Sequence, residues 1–391
     1  MHHDETFGQA LRRLRGTLSV RDVARLAAVG KSTIGDLETG RRRPTPTVAA
    51  ALDDALDAGG ELTRLAEHPP GTPLLQQVAS LQHGVAESLA AGPMTGAALD
   101  EWEYTVARHG RSTRWRPEQQ LLPELAADIT DLQRLLAHRH PPQVRRRLLL
   151  ASAQMAGLMA LTLLKLGSHS AARDWWRTGR SAAAAAEDRA ALSWMYAQES
   201  YQLYYCGDLE GAVELAARAQ QLAGGLPCVG PALAAPLEAR ALASLGRREE
   251  TAAALLRAES ALARLAAEEQ IASAFGYSES QLAFHAGNAW THLRETARAA
   301  DEHQRALELY PESDRTDRTL VQLDRAVCLA VGGDPAAAAA AAVEVIEVLP
   351  EEHRSPLIIY RARELAAMVP AARQTVPEVR VLREFLALPA G

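Results

Sequence analysis

The sequence predicts an all-α protein in two parts, a small N-terminal cluster of short helices followed by a long stack of helical hairpins. Three observations predict it. The 391 residues are 48% hydrophobic but only 5% aromatic and 23% charged, the composition of a folded chain rather than a disordered one. Beyond residue 73 the chain is rich in alanine and leucine and shows no convincing strand alternation. Small residues also recur at a nearly constant spacing through its second half, as they do where helices cross closely.

Taken in order, "FGQALRRLR" carries Leu11 and Leu14 at helical spacing, and "SVRDVARLA" carries Val23 and Leu26 in the same way. Ser19 is placed to cap the second helix, with Asp22 three residues on near the positive end of its dipole. Ala28-Val29-Gly30 is a tight turn, with the glycine expected where the chain reverses. In "KSTIGDLET", Ile34 and Leu37 form an inward pair while Lys31, Ser32, Gly35, Asp36 and Thr39 fall on the opposite face. Gly40 ends this helix, Arg41 to Arg43 follow, and Thr45-Pro46 read as N-cap and first residue of the next.

Two helices joined by a short turn, the second with an open polar face, form a helix-turn-helix arrangement. A major groove admits such a helix, and side chains near its N-terminus reach base edges. Lys31, Ser32 and Thr33 occupy that N-terminus; Gly35 lets a backbone approach, Asp36 can accept from a cytosine amino group, and Arg21, Arg41, Arg42 and Arg43 supply phosphate contacts. Charge agrees: the chain carries a net −6, yet residues 8–43 hold nine basic side chains against Asp22, Asp36 and Glu38. A basic head sits on an acidic body.

Residues 7–58, with "LRRLR" and "LSVRDVARLAAVGKSTIGDLETGRRRP", resemble the XRE (Cro/C1-type) helix-turn-helix family. The resemblance implies that Glu38 is the family's helix-3 glutamate, pairing with a helix-1 arginine that maps onto Arg13 in a structural role. Three positions depart from the family pattern: Val20 where glutamine is common, Gly30 where serine is, and Asp36 in place of a polar or basic residue.

"AEHPPGTP" at 66–73 breaks any helix and reads as a linker. Residues 74–146 look helical without a motif. Then turns of similar grammar recur: "LGSHSAARDW", "CGDLEGAVEL", "LGRREETAAAL", "HLRETARAADE" and "VGGDPAAAAAA". Just before them stand Ala160, Ser200, Ala239, Gly287 and Ala326, at intervals of 40, 39, 48 and 39 residues, and twelve residues after each stand Ala172, Ala212, Thr251, Ala299 and Ala338. This double register predicts about five stacked hairpins over 147–350, capped by helices to 388. The logic resembles the tetratricopeptide repeat, whose period is ~34 residues, and "ADEHQRALELYP" is similar to the end of such a repeat. The expected domains are therefore a DNA-binding domain at 1–66, a linker and connecting region at 67–146, and a tetratricopeptide-like sensor and dimerisation domain at 147–391.

Trp175, Trp176, Trp194, Tyr196, Tyr201, Tyr204 and Tyr205 crowd into 31 positions of a chain with just six Trp, eight Tyr and four Phe. With Ser200 at the packing position, Trp194, Tyr201, Tyr204 and Tyr205 fall where such repeats line a concave surface, and Arg240, Phe284, Asn288 and His292 take comparable places later. A groove of this kind suits a peptide or small organic ligand. The alternative is that a chain poor in aromatics concentrates its bulky core there.

No H-E-x-x-H, Walker loop, G-x-S-x-G or dinucleotide-binding glycine pattern occurs, so no catalytic residue, metal ligand or cofactor is expected. His2 and His3 carry no weight, and His138 and His140 read as a loop. Cys206, Cys228 and Cys328 are isolated and odd in number, which fits a reducing cytoplasm. The apolar stretch 148–164 is short for a membrane span, is interrupted by Ser152 and Gln154, and reads as a buried helix. The whole architecture resembles the XRE-plus-tetratricopeptide regulators of actinobacteria, and more loosely peptide-responsive quorum-sensing receptors. The resemblance implies a homodimeric transcriptional regulator bound to an inverted-repeat operator and responsive to a peptide or small-molecule effector. The competing expectation is a repeat scaffold for a protein partner, with the head only tethering it to DNA.

Overall fold

The computed structural model describes residues 6–67, 78, 81–82, 84–85, 92 and 94–387, and among them the regular structure is helical with no strand. The chain forms two compact units, Met1–Leu89 and Ala90–Gly391. Residues 68–73 of the expected linker, together with His2 and His3, lie outside the described residues.

The first unit contains α1 (Phe7–Arg15), α2 (Val20–Leu26), α3 (Lys31–Glu38), α4 (Pro46–Leu56) and α5 (Glu61–Glu67). Helices this short are marginal alone, and caps fix where they start. Thr6 with Gln9, and Ser19 with Asp22, form reciprocal capping boxes, and the Thr45 hydroxyl accepts from Val48 N at 3.3 Å. Asp53 of α4 caps α5, its carboxylate accepting from Leu62 N at 3.1 Å and Thr63 N at 2.6 Å. Burial raises the Asp53 pKa, but the hydrogen bonds from Thr63 and Leu62 outweigh it and hold the carboxyl below its usual range. Phe7, Ala10, Leu11, Val23, Ile34, Leu37, Leu52 and Leu62 make the core. α1 lies so close to the end of α3 that a Cβ on Gly8 would come within 2.5 Å of the Leu37 carbonyl oxygen.

The second unit opens with α6 (Gly96–Ser112) and α7 (Glu118–Ala137), which pack on α8 (Pro142–Lys165). Six hairpins follow: α8 with α9 (His169–Ala185), α10 (Arg189–Tyr205) with α11 (Leu209–Ala223), α12 (Val229–Ser244) with α13 (Arg248–Ala263), α14 (Glu279–His292) with α15 (Thr296–Leu309), α16 (Arg315–Val331) with α17 (Pro335–Glu347), and α18 (Pro356–Met368) with α19 (Pro377–Ala387). First helices pack on first helices, which makes an inner layer of α8, α10, α12, α14, α16 and α18. All ten small residues of the double register are buried. At Gly287 a Cβ would come within 2.5 Å of His303 Cδ2 on α15, so α14 and α15 meet there only because that side chain is absent.

Five of the hairpins turn through three residues with the middle one left-handed: Gly167 (φ 77°), Gly207 (φ 80°), Gly246 (φ 76°), Arg294 (φ 60°) and Gly333 (φ 95°). The recurring turn grammar is this turn, and the Asp208 and Asp334 carboxylates that follow it cap α11 and α17. The interval of 48 also has a cause. Residues 264–278 between α13 and α14 form an irregular segment that packs back on the unit, with Ala274 N donating to Gly110 O at 2.9 Å. α8 is long and apolar enough to cross a membrane, but two-thirds of its apolar window is buried inside the unit.

Candidate functional site

In the first unit, Ile34 and Leu37 turn inward while Lys31 and Ser32 stand exposed at the start of α3, with Thr33, Gly35 and Asp36 half-buried beside them. A Cβ on Gly35 would meet nothing within 4 Å, so this face has free space above its backbone. Arg41, Arg42 and Arg43 are exposed on the segment after α3, and Arg21 is exposed on α2. Arg41 Nε donates to Thr39 Oγ1 at 3.3 Å, whereas the side chains of Arg21, Lys31, Arg42 and Arg43 have no hydrogen-bond or ion-pair partner among the described residues. The nine residues read from the sequence thus lie on α2, α3 and the segment that leaves α3. Five cations unneutralised by neighbouring carboxylates beside a low-relief helix face favour a polyanion.

Two expectations for this unit are corrected. Glu38 is paired not with Arg13 but with Arg15, Nε to Oε1 at 2.6 Å, and with Arg12 at 3.7 Å. The buried stripe Phe7, Ala10, Leu11 continues through Arg15 toward α3, whereas Arg13 lies off that stripe and reaches Glu61 of α5 at 2.5 Å. The residue that reverses the chain between α2 and α3 is Ala28, at φ 52°, not Gly30. Gly30 is extended (φ −60°, ψ 138°) and stands at the N-cap of α3 without a side-chain cap.

Residues 6–66 match the family described as "Helix-turn-helix domain". They are a helix-turn-helix domain. No curated protein matches the chain at a significant level. Among solved structures the chain is similar to the crystal structure of BtubC (BKLC) from P. vanneervenii, at 17% identity and a TM-score of 0.41, covering 58% of this chain and 89% of that one.

Apart from the helix-turn-helix domain, the polar interior of the second unit is the other concentration of chemistry. Seven of the eight aromatic and polar residues expected to line a groove there meet in one network. Arg240 of α12 donates from Nε to Asn288 Oδ1 at 2.8 Å and from Nη2 to the Tyr205 hydroxyl at 3.2 Å, and its guanidinium carbon lies 4.4 Å from the Tyr204 ring centroid and 5.3 Å from that of Phe284. The Tyr204 hydroxyl is 3.2 Å from Asn288 Oδ1 and 3.0 Å from His292 Nε2. Tyr201 packs edge-on to Tyr205, ring centroids 4.8 Å apart. Trp194 stands elsewhere: its Nε1 donates to Ala274 O at 2.8 Å and its ring packs on Phe275, so it anchors the 264–278 segment.

The network extends through residues that the sequence reading passed over. Asn288 Nδ2 donates to Asp324 Oδ2 at 2.8 Å, and the other carboxylate oxygen accepts from Arg361 Nε at 2.5 Å. Burial works against the Asp324 carboxylate, yet the Arg361 cation, His303 and Asn288 hold its pKa below the usual range. His292 goes the other way. Burial first, then the Arg361 and Arg240 cations, push its pKa down to about 3. The missed residues carry a signal: Gln198, His285 and Asp324 stand two positions before the small residues Ser200, Gly287 and Ala326, while Tyr201, Arg240 and Asn288 stand one after Ser200, Ala239 and Gly287. Positions three apart share a helix face, so both sets point inward.

Beside this network lies a cavity of about 80 Å³, bounded by the α6–α7 corner, α8, α10, α14 and the 264–278 segment. At its rim Arg114 is 3.0 Å from Asp317 and 3.4 Å from Asp314, tying the α6–α7 corner to the start of α16. Burial, with Asp317 close by, raises the Asp314 pKa to about 6 against the pull of Arg114.

Proposed function

We propose that the chain is a cytoplasmic, homodimeric transcriptional regulator of the XRE type, in which a tetratricopeptide-like body senses a peptide or small-molecule effector. The observation that carries this reading is the outer face of α3, open above Gly35 and flanked by the cations Lys31, Arg42 and Arg43, which have no partner among the described residues. One helix reads few base pairs, so two heads on an inverted repeat with half-sites about 10 bp apart, or a multiple of that, is the economical arrangement. The body favours sensing because its inner layer concentrates polar side chains beside a cavity, which a purely structural stack does not need. Effector binding changes operator affinity to the extent that the effector prefers one of two body conformations.

Selection of bound fragments from a genomic DNA library tests the reading. The full-length protein is expected to enrich an inverted repeat, and Arg41/Arg42/Arg43→Ala to lose it. Gly35→Leu is the sharper variant. Leucine is the better helix former by roughly 0.5–1 kcal/mol and its Cβ would meet nothing within 4 Å, so the domain should melt no lower while DNA affinity falls at least about tenfold. Unchanged affinity in Gly35→Leu sinks the placement of α3 in a groove, and capture of a protein with no DNA enrichment favours the scaffold reading.

A further inference from the structure

The cavity of the second unit has an uneven chemistry. Its charged groups are paired with one another: Lys165 Nζ lies 3.1 Å from Glu118 Oε1 and also donates to Thr113 O, and Arg114 is 3.0 Å from Asp317 and 3.4 Å from Asp314, although Arg114 Nε and Nη2 and Asp314 Oδ2 are buried without a hydrogen bond among the described residues. Its neutral groups are not. Gln198 is 8% exposed and lines the cavity, and its side-chain amide has no hydrogen-bond partner among the described residues. Gln281 accepts from Ser278 N through Oε1 at 3.2 Å, which leaves its NH2 group without a partner among those residues. His285 accepts from Arg240 Nη1 at Nδ1, 3.3 Å away, so its proton sits on Nε2, which likewise has none. Tyr201 contributes a hydroxyl whose nearest partner, that of Tyr205, is 3.5 Å away.

Buried polar groups are almost always satisfied. A wall with paired charges and unpaired neutral donors therefore selects for uncharged ligands. An ion would have to compete for a side chain already held by its counter-charge and leave the other largely buried without it, while a carbonyl or ether oxygen would meet donors that are waiting. Leu161 and Leu233 complete the lining with apolar surface. A water needs roughly 10–15 Å³, so the space admits a compact group of a few non-hydrogen atoms, such as a small ring or an amide.

We infer that this cavity binds an uncharged organic molecule through two or more oxygen acceptors, received by Gln198, Gln281 and His285, with its apolar part against Leu161 and Leu233. This rests on the reading of the body as a sensor and names the chemistry that it senses. The test uses ligand-observed NMR titration of the full chain with 2-pyrrolidinone and N-methylacetamide as neutral probes and acetate and methylammonium as charged ones. The neutral probes are expected to bind at millimolar concentration and at least tenfold tighter than the charged ones. Gln198→Leu, which keeps the volume, should weaken them at least fivefold. Tyr201→Phe, the milder change, should weaken them about twofold, and it serves as the readout if the first variant melts early. Charged probes binding as well as neutral ones, no neutral binding, or neutral binding unchanged in the folded variants would each overturn the assignment. DNA affinity measured with the probe saturating separates the two readings: binding in the cavity without any change in DNA affinity leaves the ligand class standing and removes the sensor.

Discussion

Among single residues, His292 has a definite consequence for pH. It faces Tyr204 on α10 and Arg361 on α18, whose cation also holds Asp324 of α16. Its folded pKa of about 3 is below the ordinary value near 6.5, so the unfolded chain takes up a proton that the folded one refuses. The contribution is complete above pH 6.5 and is lost as pH falls toward 3; between pH 7.5 and 5 it amounts to about 2 kcal/mol. Burial and the Arg240 and Arg114 cations lower His285 in the same sense, while Asp314, raised to about 6, acts in the opposite one and contributes stability as pH falls through about 6. His292→Gln is expected to shrink the difference in urea midpoint between pH 7.5 and 5 by roughly 1–2 kcal/mol of stability. An undiminished difference in the variant would show that His292 is not held neutral by its surroundings.

At the scale of elements, what was legible in the sequence is what backbone chemistry dictates. Ser19 and Thr45 cap helices where they were expected to, and the inward pair Ile34 and Leu37 is buried. Small residues found the hairpins because close crossings exclude side chains whatever surrounds them. What was not legible depended on which way a helix rolls. Arg13 and Arg15 both lie in the last turn of α1, and only the way α1 packs on α3 over Gly8 decides which of them reaches Glu38. The glycine signal failed similarly at two turns, where Ala28 and Arg294 adopt left-handed conformations that glycine normally fills. Arg294 is exposed, and no hydrogen bond or ion pair of its side chain is seen among the described residues, so Arg294→Gly relieves strain at little loss. The other turns of its kind carry glycine. The variant is expected to gain about 0.5 kcal/mol, the relief of the left-handed backbone less the added freedom of the unfolded chain. A fall in melting temperature would mean that the arginine makes a stabilising contact in solution.

Over the whole molecule, charge and architecture divide the labour. The helix-turn-helix domain has its own core and its own caps, and the nine basic side chains of residues 8–43 are set in a chain of net charge −6. Affinity for DNA must then come from local contacts, since the net field of the protein repels a polyanion. In the proposed dimer each head contributes the same phosphate contacts, and every contact releases a counterion, so the slope of log affinity against log salt counts them. A fragment of residues 1–66 brings one head where the full chain brings two. Its salt slope is expected to be about half that of the full protein, and its affinity lower by about a hundredfold or more, because tethering makes the second half-site an intramolecular encounter. Gel shifts on a selected operator between roughly 50 and 200 mM salt provide both numbers. Equal slopes and equal affinities would mean that a single head accounts for all the binding, and that the helical body contributes nothing to DNA recognition through dimerisation.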